Sequence, residues 1–409
     1  MRITLLSIIA LLFSTALIQT SNGLQGTLLP IRADIETFTA LSIGIMGSAF
    51  YVGLILGCTI CPWMVVRVGH IRSFTAFAAI ASVSVLLHIL IINEVTWWLA
   101  RALSGLCFAG MQMVIESWLN DRATNASRGR ILSFYTLINL TLIIAGQQLI
   151  SISHPTGFIL FIFASILLSL AVIPVALTKS PTPTPVARAQ LRIMWLYSIS
   201  PAGVIGALCV GLATGAFWTL GPLFALDYGL TVEQVTWFMS MSVLGGVLAL
   251  WPLGWISDLV DRRLIITFAS VGSVIIAVVI ITHLTEGLVW LYALTTLFGA
   301  FSFPLYALCL AHANDYVGTN DALEISGGLL LLYSIGAALG PLIGSSLMYS
   351  YNYYMLFYFT AAIHFILALL ICWRMFISTS VDPARKDNFV AIPKTSPTVN
   401  ELDPRTHNN

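Results

Sequence analysis

Twelve stretches of about 20 apolar residues fix the solvent of this chain before any other feature is considered. They run over 4–29, 39–65, 73–92, 96–119, 130–152, 157–177, 201–226, 235–257, 264–283, 287–311, 324–348 and 353–376. Each is long enough to cross the hydrocarbon of a bilayer as a helix, and a helix satisfies its own backbone where no water is available. Only 9% of the 409 residues are charged and 58% are hydrophobic, against about 25% charged in ordinary soluble domains. The expected fold is therefore all-α and integral to the membrane, with the lipid bilayer as its partner. A net charge of +1 with three lysines, Lys179, Lys386 and Lys394, offers no basic patch for nucleic acid.

The twelve runs repeat as two sets of six. Gly105 and Gly299, Asn120-Asp121 and Asn314-Asp315, and Gly146 and Gly340 share an offset of 194 residues. Pro30 and Pro222, Gly53 and Gly245, and Pro62 and Gly254 share an offset of 192. A long repeat in an apolar chain marks a transporter. The organisation expected is a six-helix bundle over 1–177, a linker over 178–200, a second bundle over 201–377 and a disordered tail over 378–409. The linker contains SPTPTPVARAQLR, whose prolines cannot continue a helix. The first run resembles a signal peptide in composition, yet it lacks a clean cleavage site and has a counterpart in the second half, so it reads as a retained helix.

Orientation follows from the basic residues. With the N-terminus in the cytoplasm, 16 of the 18 lysines and arginines fall on the cytoplasmic side, and the outer connections carry Asp34, Glu36, Glu94, Asp227, Glu233 and Glu286. Both termini are then cytoplasmic. Of the two exceptions, Arg32 lies outside and Arg101 lies within predicted helix 4.

No enzyme chemistry is visible. Lys179 and Lys394 precede Ser or Thr but do not follow the glycine of a phosphate-binding loop, and neither H-E-x-x-H nor G-x-S-x-G occurs. Cys58-x-x-Cys61 sits inside an apolar run with no further ligand cluster, which favours packing over redox chemistry or metal binding. No cofactor and no metal are expected.

Charged residues inside membrane helices are functional candidates. Arg101 lies about five residues from the outer end of helix 4, where it can bind an anionic or polar solute or reach the surface. Glu116 lies about one turn inside the other end, placed either to carry a proton or to pair with Arg122 or Arg130. His88 and His364, on apolar helices, read as packed histidines.

The chain resembles the major facilitator superfamily. Predicted helix 4 carries R-x-x-x-G-x-x-x-A as Arg101, Gly105 and Ala109. The loop signature G-x-x-x-D-R-x-G-R-R/K is kept in part by Gly254, Asp258, Arg262 and Arg263. Its first-half copy keeps Arg67 and Gly69 but has Pro62 and Val66 in place of the glycine and the aspartate. ESWLNDRA…RGR and AHAND…SGGLLLLYSIGAALGP are similar to the bacterial YcaD-like branch, which implies a bacterial inner-membrane location and a vitamin-type substrate such as riboflavin.

The resemblance implies a single-chain, monomeric secondary carrier that moves a small molecule by alternating access between two bundles. Its solute site is expected near mid-membrane, lined by helices 1, 4, 7 and 10 with help from 5 and 11. Residues at those depths are Gln19, Asn22 and Gln25; Arg101 and Gln112; Asn139 and Gln147; Phe217 and Trp218; Tyr306; and Tyr333. Amides in one half facing aromatics in the other suit a flat, polar, ring-bearing solute. Glu116 and Arg101 are the candidates for proton coupling. A gate is expected where Asp258 meets Arg128 or Arg130 and where Arg67 meets Glu324. The alternatives are an efflux antiporter for drugs or metabolites, and a transport-inactive receptor. Against efflux, helix 5 reads Ala145-Gly146-Gln147-Gln148 in place of the G-P-x-x-G-G antiporter motif.

Overall fold

A computed structural model describes residues 2–177, 192–282, 287–317, 321–378, 386 and 388–403, and no strand occurs among them. Twelve of its helices are long and apolar enough to cross a membrane. They are α1 (Ser7–Ile35), α2 (Ala40–Val68), α3 (His70–Leu90), α4 (Glu94–Arg122), α5 (Ser127–Ile152), α6 (Ile159–Ala176), α7 (Pro201–Asp227), α8 (Val232–Leu259), α9 (Arg262–Thr282), α10 (Leu288–Asn314), α11 (Glu324–Ser350) and α12 (Met355–Ile377). The chain is thus a multi-pass membrane protein, as its composition requires. Linker residues 178–191, with Lys179 and Arg188, and the charges Glu286, Arg385 and Arg405 lie outside the described residues.

Local chemistry sets the helix starts. The Asn93 side chain accepts from the backbone N–H groups of Val95 and Thr96 and so caps α4. Thr231 and Gln234 form a reciprocal capping box at α8. Ser200 caps α7, with Pro201 in the first turn where its missing N–H costs nothing. α10 is interrupted between Ser302 and Leu305, at Pro304, because proline removes a helical hydrogen bond.

The two halves repeat in their contacts as well as their residues. Within the first, α1 packs on α4, α5 and α6, and α3 packs on α4 and α6. Within the second, α7 packs on α10, α11 and α12, and α9 packs on α10 and α12. The repeated glycines lie at the crossings. A Cβ on Gly53 would overlap the Ala102 carbonyl and one on Gly105 the Phe50 carbonyl; Gly245 meets Thr296 and Gly299 meets Ser242 in the same way. Each contact in one half maps onto the other at the offsets of 192 and 194. Helices in lipid gain little from burying apolar surface against each other, so small residues that permit close packing hold them together.

The chain divides into two compact units whose borders differ from the expected ones. One comprises Met1–Phe38, Ala49–Gln190 and Ile392–Asn409; the other comprises Thr39–Ser48 and Leu191–Ala391. The first turns of α2 join the second unit because Gly44 lies against Ser345 and Pro341, and Gly47 against Thr219. The tail also departs from expectation. Residues 388–403 are placed and largely buried, and Pro397–Leu402 forms a short 3-10 helix against α4 and α5. Their prolines and polar residues have the composition of a disordered segment, but Val399 and Leu402 supply apolar anchors that are fully buried.

Replacing Gly105 or Gly299 with valine forces a side chain into a backbone carbonyl, and such overpacking costs about 1–3 kcal/mol. Each variant is expected to lower the midpoint of thermal unfolding in detergent. Gly26→Ala should leave it unchanged, because a Cβ there meets nothing within 4 Å.

Candidate substrate and coupling site

The first half gathers a buried polar chain from three helices. Gln112 and Glu116 are four residues apart on α4, and Tyr135 and Asn139 are four apart on α5, so each pair shares a helix face. α1 approaches α5 closely because Gly23 meets the Ile143 backbone and Gly146 meets the Thr20 backbone. That approach lets Gln19 reach Asn139. The amides of Gln19 and Gln112 both donate to Asn139 Oδ1, the second at 3.2 Å. Asn139 Nδ2 donates to the Tyr135 carbonyl at 2.8 Å. The Tyr135 hydroxyl donates to Glu116 Oε1 at 2.6 Å.

Glu116 is 0% exposed. Two more hydroxyls donate to its carboxylate, Thr395 to Oε1 and Ser396 to Oε2, both from the tail. A hydroxyl can donate to an anion or accept from an acid, so this ring can accommodate either form of the carboxyl group. The expected pairing of Glu116 with Arg122 or Arg130 is not formed; Arg122 lies beside Asp121 at 3.5 Å and Arg130 is exposed.

Three amide oxygens in this half, of Gln19, Gln25 and Gln112, are buried without a hydrogen-bond partner among the described residues. Gln25 donates to Ser21 at 3.0 Å through its other atom. Asn22 is half-buried and Gln147 buried. Arg101 is 8% exposed, with its guanidinium 4.4 Å from the centre of the Phe50 ring. It does not reach the surface, and it forms no ion pair among the described residues.

The second half is aromatic where the first is polar. The rings of Tyr306 and Tyr333 meet edge to face at 5.0 Å, and Thr214 lies 3.0 Å from the Tyr333 hydroxyl. Phe217 and Trp218 are differently placed. Phe217 is packed among Phe238, Phe298, Phe303 and Phe357, and Trp218 stacks on Phe303 at 5.6 Å. These contacts make Phe217 part of the aromatic core of its bundle.

Three of the expected gate residues, Asp258, Arg128 and Arg67, have partners within their own halves. Asp258 lies 2.8 Å from Arg262, which also holds Asp315 at 2.7 Å. Asp258 accepts in addition from the Phe389 N–H at 2.9 Å, and the Phe389 ring occupies the space that a side chain at Gly254 would fill. Arg128 donates to the Asn120 side chain and to the Glu401 carbonyl. Arg67 lies 5.2 Å from the Trp63 ring, and Glu324 is partly exposed. Burial pushes the Glu401 carboxyl up, and Asn120 and Arg128 offset part of that shift.

Tyr135, Thr395, Ser396 and Glu401 join the site without having been read from the sequence. The spacing of Tyr135 to Asn139 is a signal that could have found the first. His88 and His364 are packed as expected: each Nδ1–H donates to the carbonyl one turn back, of Ser84 and Thr360. Among the described residues no cluster fits a metal ion.

Arg262 is 1% exposed. Arg262→Met is expected to destabilise the protein by about 3 kcal/mol or more, because a buried carboxylate that loses its cation is left poorly compensated. Arg262→Met with Asp315→Leu should recover part of that loss in the same thermal assay.

The comparisons agree with this architecture. The model of the Major Facilitator Superfamily matches residues 203–401, and that of the "Sugar (and other) transporter" family matches residues 11–183. A relative named as an uncharacterized MFS-type transporter, YcaD, of Escherichia fergusonii is 25% identical over 366 residues, covering 89% of this chain and 94% of its own. Its Salmonella typhimurium namesake is 24% identical over 368 residues, covering 89% and 94%. Among solved structures, a variant of the nucleoside transporter NupG superposes with a TM-score of 0.78 at 12% identity, covering 90% of this chain and 100% of its own. A bacterial homologue of the human lysosomal transporter Spinster, inward-facing and occupied, gives 0.68 at 13% identity, covering 93% and 96%. These relatives are transporters and not enzymes. Two family models over the two halves, twelve spans and the shared fold make the chain a membrane transporter of the major facilitator type.

Proposed function

We propose that the chain is a proton-coupled secondary carrier that takes up a small, ring-bearing solute rich in hydrogen-bond donors. The observation that carries this reading is the set of buried amide oxygens on Gln19, Gln25 and Gln112 that have no donor among the described residues. Buried polar groups are normally paired, so acceptors left open invite the N–H or O–H groups of a solute. Asn22, Asn139 and Gln147 add polar capacity, and Tyr306 and Tyr333 supply aromatic surface for a ring. Phe217 and Trp218 act through packing behind them. Arg101 suits an anionic or strongly polar group. Glu116 carries the coupled proton, because a carboxyl group buried in a membrane helix binds and releases a proton more readily than it tolerates a permanent charge.

Riboflavin stays the leading substrate by resemblance; none of the relatives named above is described as carrying it. A nucleoside also has a ring and several hydroxyl donors and is the second probe. The assignment places the protein in the bacterial inner membrane as a monomer with both termini in the cytoplasm. The test is uptake of labelled riboflavin and of labelled nucleosides by cells with and without the protein. Accumulation is expected to collapse with a protonophore and in Glu116→Gln. Uptake equal to that of empty-vector cells for every probe would remove this substrate class.

The gate assigned to Asp258, Arg128 and Arg130, and to Arg67 and Glu324, belongs to the same reading. Asp258→Arg and Arg130→Asp should each abolish transport, and combining them should restore it. A double variant as inactive as either single one would remove the pairing.

A further inference from the structure

Glu116 is six residues, or about 9 Å of helix, from the end of α4 at Arg122. A carboxyl group so near a helix end is within reach of water unless something covers it. Here the cover is the C-terminal tail. Thr395 and Ser396 donate to the two oxygens of Glu116, and both residues are buried.

The tail is built for this seat. Ser396 accepts from the Thr398 N–H at 3.2 Å and Pro397 opens the 3-10 helix Pro397–Leu402. Three residues per turn put Val399 and Leu402 on one face, and both are fully buried where this helix packs on α4 and α5. At its far end Asn120 Nδ2 donates to the Glu401 carboxylate at 2.8 Å, and Arg128 donates to the Glu401 carbonyl. The repeat supplies an internal contrast. Leu310 stands at the position of Glu116 in the second half, and the amide of Asn314, the counterpart of Asn120, is buried with no partner among the described residues. At this position of the repeat, a carboxyl group under the tail is found in the first half and not, among the described residues, in the second.

We propose that residues 392–403 are a detachable latch: docked, Thr395 and Ser396 seal Glu116, and released, they open it to solvent on the side that holds the tail. The segment lies outside the membrane spans and is held by a handful of hydrogen bonds and the aliphatic side chains of Ile392, Val399 and Leu402, so it can leave without disturbing the bundle. Thr395 and Ser396 are then positioning residues for the Glu116 carboxyl group. Their meaning for transport rests on Glu116 as the coupling group; the latch itself does not.

The experiment reads accessibility rather than transport. The purified full-length protein is treated with a water-soluble carbodiimide and glycine methyl ester, and modification of Glu116 is followed by mass spectrometry. Val399→Asp with Leu402→Asp removes the apolar anchors of the 3-10 helix and leaves both hydroxyls and Glu116 in place. Modification is expected to accelerate about tenfold or more, as for the opening of a locally stabilised segment. In the same background Ser396→Cys should react faster with an impermeant maleimide than Ser396→Cys alone. An unchanged Glu116 rate, or a cysteine equally protected in both backgrounds, overturns the latch. Faster modification alongside normal proton coupling in Glu116→Gln would keep the latch and discard the coupling role.

Discussion

Lipid offers a polar group no hydrogen bond, so each one drawn into the membrane must find its partner within the protein. That constraint shapes this chain more than any single residue does. It makes every span a helix, and it makes close helix packing the means of bringing scarce polar groups together. The glycine crossings of α1 with α5, α2 with α4, α7 with α11 and α8 with α10 meet that need. Without the Gly23 and Gly146 contacts, Gln19 would not reach Asn139, and the relay from Gln19 through Asn139 and Tyr135 to Glu116 would lose its first member.

One architecture appears twice but is equipped differently. The first bundle concentrates amides and a carboxyl group. The second places Tyr306 against Tyr333, packs Phe217 into an aromatic core, and locks Arg262 between Asp258 and Asp315. In the first bundle Val66 and His70 stand where the second has Asp258 and Arg262, so the same ion-pair cluster cannot form. Its terminal polar groups, Asn120 and Arg128, turn to the tail instead. The two halves share the packing positions, where a side chain would collide with backbone, and differ at several polar positions, such as 66 and 258, 70 and 262, and 116 and 310.

Much of the candidate site was legible because intramembrane polar residues are few. Gln19, Gln112, Asn139 and Glu116 stand out in apolar helices, and they do meet. Phe217 and Trp218 were less legible, since an aromatic residue in a membrane helix has the same composition whether it lines a site or fills a core. The partners of Asp258 and Arg128 were not legible either. A charge at a helix end has several candidates within reach, and only the fold selects Arg262 for one and Glu401 with Asn120 for the other.

The sequence by itself determined the solvent, the twelve helices, their division into two similar sets and the glycines at which they cross. These depend on run length and on residue size, both of which are local properties. Tertiary structure alone decided which acceptors are left unpaired, where α2 and the tail belong, and what covers Glu116. Residues 116 and 396 are 280 positions apart, and no periodicity or composition links them. Their contact exists because the bundle brings the end of α4 to the place where Val399 and Leu402 can be buried.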